Sequence, residues 1–171
     1  MAEQAVFNID LPDEEIYMQI LPILENIVSS DEPVISILAN VTALLKEALT
    51  KVSWAGFYIR RDDALYLGPF QGKTACAKIL KGRGVCGASF LRKETIIVDN
   101  VNEFEGHISC DSGSRSEIVI PIISNGEVYA ILDLDSYKYA AFNEIDRNHM
   151  EKGANLIARK IDLEKLKNIV I

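Results

Sequence analysis

The chain lacks the features of a membrane-spanning or exported protein. None of its apolar runs approaches the roughly 20 residues that a helix needs to cross a bilayer. The opening MAEQAVFNIDLPDEE is acidic and has no basic segment followed by an apolar one, so we find no secretory signal. We therefore expect the protein to act in the cytoplasm.

Basic clusters, internal repeats and linkers are also missing. The net charge is −7, and no group of Lys and Arg offsets it, so the chain repels phosphate backbones and anionic membranes. We expect neither nucleic acid nor a membrane as a partner. A length of 171 residues suits one domain with a substantial core. We predict a single domain over residues 1–171.

Cysteine is scarce, and its spacing excludes the common structural uses. The chain has three cysteines, Cys76, Cys86 and Cys110, and no CxxC pair, so a zinc ribbon is excluded. An odd count in a reducing compartment also argues against a permanent disulfide framework. Buried thiols, a metal site or redox chemistry remain open. A partial metal site of His107, Cys110 and Asp111 is the weaker hypothesis, and we expect no metal.

Helical patterns occupy the two ends of the sequence. Residues 12–29 have apolar side chains at helical spacing, with Pro22 predicted to kink or split the helix. Residues 34–50 form a second such pattern. Asn143 is predicted to cap a long C-terminal helix at residues 143–168.

Strand patterns and turns dominate the middle of the chain. Residues 52–61 and 64–70 read as one hairpin, and residues 117–123 and 127–136 as another, which turns at Asn125-Gly126. Between the hairpins we predict, in order, a helix or strand at 75–81, a glycine-rich loop at 82–87, a helix at 88–93, a buried strand at 95–101 and a polar loop at 102–115.

This order of elements predicts the fold class, α/β of the α+β type. Strands joined by short turns give a central antiparallel sheet, and the N- and C-terminal helices pack together on one of its faces. The opposite face is then free to hold a ligand pocket beneath the loops that carry the cysteines.

Carboxylates gather on the predicted pocket face. Alternation along the last strand separates two sets of side chains: Ala130, Leu132 and Leu134 toward the helices, and Tyr129, Ile131, Asp133 and Asp135 toward the pocket. Hairpin pairing brings Glu117 beside the two aspartates. Such a cluster suits a cationic group, such as an amine or a metal, or a carboxylic acid with a raised pKa. Solvated strand ends are the alternative.

Aromatic side chains and thiols complete the candidate pocket. Trp54 and Tyr58 share a strand face, and Gly56 between them leaves room for a ligand, although strand aromatics are more often core. Cys86 and Cys110 lie in glycine-rich or polar loops, where a thiol can be reached. GRGVCG matches GxGxxG but lacks the surrounding strand and acidic residue of a dinucleotide site. Thiols, carboxylates and aromatics together favour redox chemistry on a small cationic molecule.

Several segments resemble the free methionine-(R)-sulfoxide reductases. These are WAGFY, LGPFQG, ACAKILKGRGVCG, GHISCDSGSRSEIVIP and LDLDS, and the resemblance spans roughly residues 15–160. The family commonly has alanine where this chain has Ser109. Members are single GAF domains, usually homodimers, that act against methionine oxidation and are recycled by thioredoxin. The resemblance therefore implies a GAF fold, a homodimer and thioredoxin as the electron source, with no other cofactor.

The resemblance also implies a role for each candidate residue. Cys110 matches the cysteine that attacks the sulfoxide sulfur, and Cys86 and Cys76 match cysteines that form or pass on a disulfide. Substrate-lining positions are matched by Trp54, Tyr58, Glu117, Asp133 and Asp135. The carboxylates would hold a free α-ammonium, which a protein-bound methionine lacks. The sequence leaves open whether Cys76 or Cys86 resolves the intermediate, and whether Asp135 or Glu117 donates the proton. A GAF-type module that senses a ligand or redox state without turnover is the main alternative, and a structural domain with incidental cysteines is a third.

Overall fold

A computed structural model describes residues 7–28, 31–108 and 110–167. Its helices are α1 (Asp13–Ile27), α2 (Val34–Ala48), α3 (Gly84–Arg92), α4 (Glu144–Lys160) and α5 (Glu164–Lys167). Its strands are β1 (Trp54–Arg61), β2 (Ala64–Gln71), β3 (Lys78–Leu80), β4 (Ile96–Val98), β5 (Ser116–Ser124) and β6 (Glu127–Ser136).

The strands form one six-stranded sheet in the order β3-β2-β1-β6-β5-β4, and all the pairings are antiparallel. Both predicted hairpins are present. The segment that was ambiguous between helix and strand contributes the short strand β3, which pairs with β2. Because β1 pairs with β6, the two hairpins lie side by side at the centre of the sheet. The predicted antiparallel α+β architecture is confirmed.

The two faces of the sheet have separate apolar cores, as side-chain alternation predicts. On one face, residues such as Phe57, Ile118 and Leu132 pack beneath α1, α2 and α4. On the other face, Tyr58 and Ile131 belong to a smaller core that is covered by α3. Helix α3 is short and leaves part of this second face uncovered, which makes space for a pocket.

Pro22 was predicted to kink or split the first helix, and because α1 is continuous through Pro22 the split is wrong. Proline has no N–H to donate to the carbonyl of the preceding turn. Because Pro22 is exposed, water can donate to that carbonyl instead. Residue 29, the predicted end of this helix, lies outside the described residues. In the described part of the chain, no helix is long and apolar enough to cross a membrane.

The C-terminal segment is two helices rather than the single one predicted for residues 143–168. Asn143 caps α4 as expected, in a capping box with Asp146. The backbone becomes extended at Ile161, which ends α4 and lets Ile161, Leu163 and Leu166 enter the core before and within α5. The free energy gained by burying these apolar side chains exceeds the free energy that a continued helix would provide. Residue 168 is outside the described part.

Tyr129 does not face the pocket, contrary to the prediction. The β5–β6 register shifts between Ile122 and Ile123, so that Ile122 pairs with Ala130 and Ile123 with Val128. This bulge leaves Tyr129 without a pairing partner and turns it toward the helix-side core. Its hydroxyl donates a hydrogen bond to the Glu164 carboxylate of α5.

Candidate active site

A cleft opens on the sheet face opposite α1, α2 and α4. It contains about 540 Å³ of open space, part of which is solvent at its mouth. Strands β1, β5 and β6 form its floor, α3 forms a wall, and residues from the segments 72–77, 107–108 and 110–115 form its rim. Most of the residues singled out from the sequence line it, namely Trp54, Tyr58, Cys86, Cys110, Glu117, Asp133 and Asp135.

Cys76 joins this group through a disulfide with Cys110 at the rim. The two cysteines are 34 residues apart, and their Cα atoms are separated by 5.5 Å. Cys110 is exposed and Cys76 is half-buried, so the sulfur pair lies where a solvent-borne reductant can reach it. Of the two cysteines left open as partners of Cys110, Cys76 is the one bonded to it here, and its role as the resolving cysteine stays a prediction.

Cys86 is not a reachable loop thiol, and that prediction is wrong. It lies in the first turn of α3, is 3% exposed, and its Sγ donates to Glu117 Oε1 at 3.8 Å. The glycines around it also do not provide flexibility. A Cβ on Gly87 would collide with the carbonyl oxygen of Leu80, and Gly84 begins the helix with a φ of +61°. Glycine at these positions lets α3 start tightly against β3.

The Cys86 environment disfavours its thiolate. Burial raises the pKa of the thiol well above its usual range, and the nearby Asp133 and Glu117 carboxylates raise it further. Since the thiolate is the nucleophilic form of cysteine, Cys86 is chemically quiet in this site. The exposed Cys110 is better placed to attack a substrate.

The three carboxylates converge on the floor of the cleft as predicted. In the β5–β6 register Glu117 pairs with Asp135, and in the β1–β6 register Asp135 also lies opposite Trp54. Asp133 is two residues from Asp135 on the same strand face. Glu117 and Asp133 are each only 6% exposed, and Asp135 is half-buried.

Their crowding in a buried place favours the protonated forms. Burial raises the pKa of Glu117 and of Asp133 well above the usual range, and repulsion from neighbouring carboxylates adds to this. Burial also raises the pKa of Asp135 to about 6, against the opposing hydrogen bond from Ser114. Asp133 Oδ1 is buried and has no hydrogen-bond partner among the described residues. A cation placed beside this Asp133 oxygen would favour the ionised form of that carboxylate.

Trp54 fills the space that Gly56 was predicted to leave for a ligand. The indole lies so close to Gly56 and Gly72 that a Cβ on either glycine would collide with it. Its Nε1 donates to the carbonyl oxygen of Lys73 at 3.0 Å, and its ring stacks on Phe70 with centroids 5.4 Å apart. The apolar surface beside the carboxylates is therefore the indole face, not a bare strand.

Tyr58 lies between the Trp54 ring and the disulfide. Its ring lies 6.1 Å from that of Trp54, and its hydroxyl donates to the carbonyl oxygen of Cys76 at 3.1 Å. Burial and the neighbouring carboxylates of Asp133 and Asp135 raise its pKa, so the hydroxyl stays protonated and available as a donor.

Sequence reasoning missed a polar clamp, formed by Lys73, Asp111 and Tyr137, that ties the two cysteine loops together. Asp111 accepts from the Gly113 N–H and the Tyr137 hydroxyl, each at 2.8 Å, and lies 3.3 Å from Lys73 Nζ. These donors, the Gly113 N–H most of all, lower the Asp111 pKa. The partial metal site with His107 loses support, because Asp111 is occupied in this way and Cys110 is in a disulfide.

The N-terminus of α3 supplies backbone donors to the cleft. Gly84 N–H donates to the carbonyl of Gly106, and Gly87 N–H to that of Arg83. The intervening N–H groups of Val85 and Cys86 belong to the first turn, where a helix offers no internal acceptor. Both residues line the cleft, and the positive end of the helix dipole there favours an anion.

Comparison with known proteins assigns the chain to a family. The GAF domain profile matches residues 33–161. Free methionine-R-sulfoxide reductase of Escherichia coli is 46% identical over 115 residues, which are 67% of this chain and 70% of that protein. The Saccharomyces cerevisiae protein of the same name is 40% identical over 164 residues, 91% of each chain. The chain belongs to the free methionine-R-sulfoxide reductase family.

A solved structure of this family has the same fold. Free methionine-R-sulfoxide reductase from Neisseria meningitidis, in complex with its substrate, is 36% identical and superimposes with a TM-score of 0.87 over 98% of this chain and 100% of that one. The GAF fold inferred from the resemblance is confirmed. The profile covers residues 33–161, and a single domain over residues 1–171 stays a prediction.

Proposed function

We propose that this protein reduces free methionine-(R)-sulfoxide to methionine, with Cys110 and Cys76 as the two-electron donor. The observation that carries the proposal is the Cys76–Cys110 disulfide at the mouth of a cleft floored by buried carboxylates. A redox-active sulfur pair thus lies beside a site suited to an ammonium group. Family membership supplies the substrate class.

Both charged ends of the free amino acid have complementary groups in the cleft. The ammonium lies among Glu117, Asp133 and Asp135, where the unpartnered Asp133 oxygen accepts from it. The α-carboxylate lies at the N–H groups that begin α3. The side-chain carbons of the substrate lie against Trp54, and its sulfoxide group then points toward Cys110.

The first chemical step is attack of the Cys110 thiolate on the electrophilic sulfur. The S–O bond breaks as its oxygen is protonated by a neutral carboxylic acid, and the raised pKa values of Asp135 and Glu117 suit both to this role. Oxygen becomes bonded to Cys110 as a sulfenic acid while the transient bond between the two sulfurs breaks, and methionine is released. The substrate sulfur is reduced by two electrons and the Cys110 sulfur is oxidised by two.

The second step forms the disulfide. The Cys76 thiol attacks the Cys110 sulfenic sulfur and expels water, so that one sulfoxide and two thiols give methionine, a disulfide and water. The pairing of Cys76 with Cys110 supports Cys76 as the resolving thiol, and the burial of Cys86 argues against it in that role. The two thiols balance the reaction without a metal or organic cofactor. Thioredoxin then reduces the disulfide through the exposed Cys110.

A coupled assay tests the proposal and its preference for the free amino acid. NADPH consumption is followed with thioredoxin, thioredoxin reductase and either free or N-acetylated methionine-(R)-sulfoxide. We expect turnover of the free form and little of the acetylated one, whose nitrogen is a neutral amide. Equal rates on the two would contradict the ammonium site. Binding of the free sulfoxide without turnover would favour a GAF-type sensing module.

The remaining assignments concern assembly and compartment. We propose a homodimer, which the resemblance to the family supports, and the exposed apolar side chains of Met18 on α1 and Ile35 on α2 are candidates for its interface. A monomer mass in light scattering at assay concentration would contradict it. We also propose that the protein works in the cytoplasm, where reduced thioredoxin keeps its thiols in the active form.

A further inference from the structure

Cys86, Glu117 and Asp133 form a mixed cluster of one thiol and two carboxylates. One potential ligand atom from each residue lies within 4.8 Å of the other two. The three side chains are 3%, 6% and 6% exposed, and they come from α3, β5 and β6. Since each is anchored in a different packed element, their convergence is fixed by the fold rather than by a loop.

We propose that this cluster binds a zinc ion, which excludes the substrate from the cleft. The cluster has an unused ligand atom, because Asp133 Oδ1 is buried without a hydrogen-bond partner among the described residues. The Cys86 Sγ to Glu117 Oε1 distance is 3.8 Å. Tetrahedral zinc with ordinary Zn–S and Zn–O bonds separates such atoms by about 3.6 Å. The two side chains are therefore almost at ligand spacing.

The ligand chemistry favours zinc over magnesium and calcium. Mg²⁺ and Ca²⁺ select sites made of oxygen alone, whereas a thiolate with two carboxylates suits a borderline-soft ion. Zinc also accepts three protein ligands with a fourth position left open. Here that position faces the cleft, where water can occupy it.

The disulfide uses none of the three proposed ligands. The disulfide uses Cys76 and Cys110 and leaves Cys86 as a free thiol. Zinc held by the reduced Cys76–Cys110 pair would instead be lost on oxidation. Persistence of binding in the oxidised protein therefore separates the two possible sites.

Competition with substrate follows from the shared carboxylates, and this part rests on the proposed function. The substrate ammonium and the zinc ion would both contact Glu117 and Asp133. Zinc bound at this cluster would therefore raise KM for the sulfoxide, although it would not contact Cys76 or Cys110.

The test uses the full chain in its oxidised form, with the Cys76–Cys110 disulfide verified by mass spectrometry. Zinc is titrated in competition with a chromophoric chelator, and cobalt(II) reports thiolate ligation through a charge-transfer band. We expect one zinc per chain, with affinity lowered about tenfold or more in Cys86→Ala and in Asp133→Asn. Asp111→Asn is the matched control, since this carboxylate lines the same cleft but is held by Lys73 and Tyr137, and it should bind as the wild type does. Thermal melts confirm that each variant is folded.

Absence of zinc binding to the oxidised wild type, or unchanged affinity in Cys86→Ala, would overturn the proposal. A second titration, with free methionine present as product, separates this proposal from the proposed function. Weaker zinc affinity in the presence of methionine supports the shared site. Zinc binding that methionine leaves unchanged would overturn only the competition and the ammonium placement. Turnover of sulfoxide by a protein that binds no zinc would overturn only the metal site.

Discussion

Asp133 is the side chain proposed to accept a hydrogen bond from the substrate ammonium. It is buried, and one of its carboxylate oxygens has no partner in the described part of the chain, so an ammonium can take that oxygen without displacing another donor. Strand alternation and the hairpin around Asn125-Gly126 placed this residue beside Glu117 in the sequence prediction. Local patterns sufficed here because both rules depend on residues close in sequence.

Asp133→Asn should weaken capture of the substrate. A charge-assisted hydrogen bond contributes roughly 1.5–3 kcal/mol, so kcat/KM should fall roughly ten- to a hundredfold, mainly through KM. Steady-state kinetics with free methionine-(R)-sulfoxide measure this. Glu127→Gln, at the far end of the same strand and paired with Arg60, is the control and should leave the kinetics unchanged. Unchanged kinetics in Asp133→Asn would show that the substrate ammonium does not bind at these carboxylates.

Asp135 should make stability depend on pH in a defined direction. Its pKa is raised by burial from 3.8 to about 6, so the fold favours the neutral acid. That stabilising contribution is complete below the unfolded pKa and is lost as pH rises through about 6. Asp135→Asn remains neutral at every pH, so its Tm relative to wild type should increase between about pH 4 and about pH 7.5.

Glu127→Gln provides a comparison of opposite sign. The Arg60 guanidinium, through its hydrogen bond, lowers the pKa of Glu127, so this pair stabilises the fold above the unfolded pKa and less at low pH. The Tm of Glu127→Gln relative to wild type should therefore decrease, by a small amount, over the same interval. A decrease for Asp135→Asn as well would show that burial does not keep Asp135 neutral.

Helix α3 is the element that the sequence predicted least well. GRGVCG has the composition of a flexible loop, and nothing local shows that Gly87 must lie against the carbonyl of Leu80. That contact joins α3 to β3, and it decides that Cys86 is buried next to Glu117 rather than exposed. The bulge that turns Tyr129 away from the cleft was missed for a similar reason, since it depends on pairing with β5.

Gly87→Ala should be strongly destabilising because the new Cβ would meet backbone atoms of Leu80 and Gly82, which cannot move aside. Overpacking of this kind costs about 1–3 kcal/mol, which denaturant melts can resolve. Gly153→Ala in α4 is the matched control: its Cβ would lie 3.1 Å from the flexible end of the Leu24 side chain, and alanine favours the helix. Equal losses in the two variants would contradict the tight packing of α3.

Across the whole molecule, the disulfide connects the loop at one side of the sheet with the loop at the other. It closes a segment of 34 residues between Cys76 and Cys110. In the chain-entropy description a loop of this length stabilises the fold by roughly 3–4 kcal/mol. Oxidation should thus make the protein both inactive and more stable until a dithiol reduces it.

The expected consequence is a Tm that falls on the order of 10 °C when the disulfide is reduced. Scanning calorimetry with and without reductant measures it. Cys76→Ser should be insensitive to reductant, whereas Cys86→Ser should respond as the wild type does. An insensitive Cys86→Ser would mean that Cys86, and not Cys76, forms the disulfide in solution.

The roles of Cys110 as the nucleophile and Cys76 as its partner are best tested by a single turnover without an external reductant. Reduced protein is mixed with free methionine-(R)-sulfoxide or its (S) diastereomer, released methionine is counted by amino-acid analysis, and the disulfide is mapped by mass spectrometry. We expect about one methionine per chain from the (R) form, little from the (S) form, a Cys76–Cys110 disulfide, and no methionine from Cys110→Ser. Equal yields from both diastereomers, or methionine formed by Cys110→Ser, would contradict this expectation.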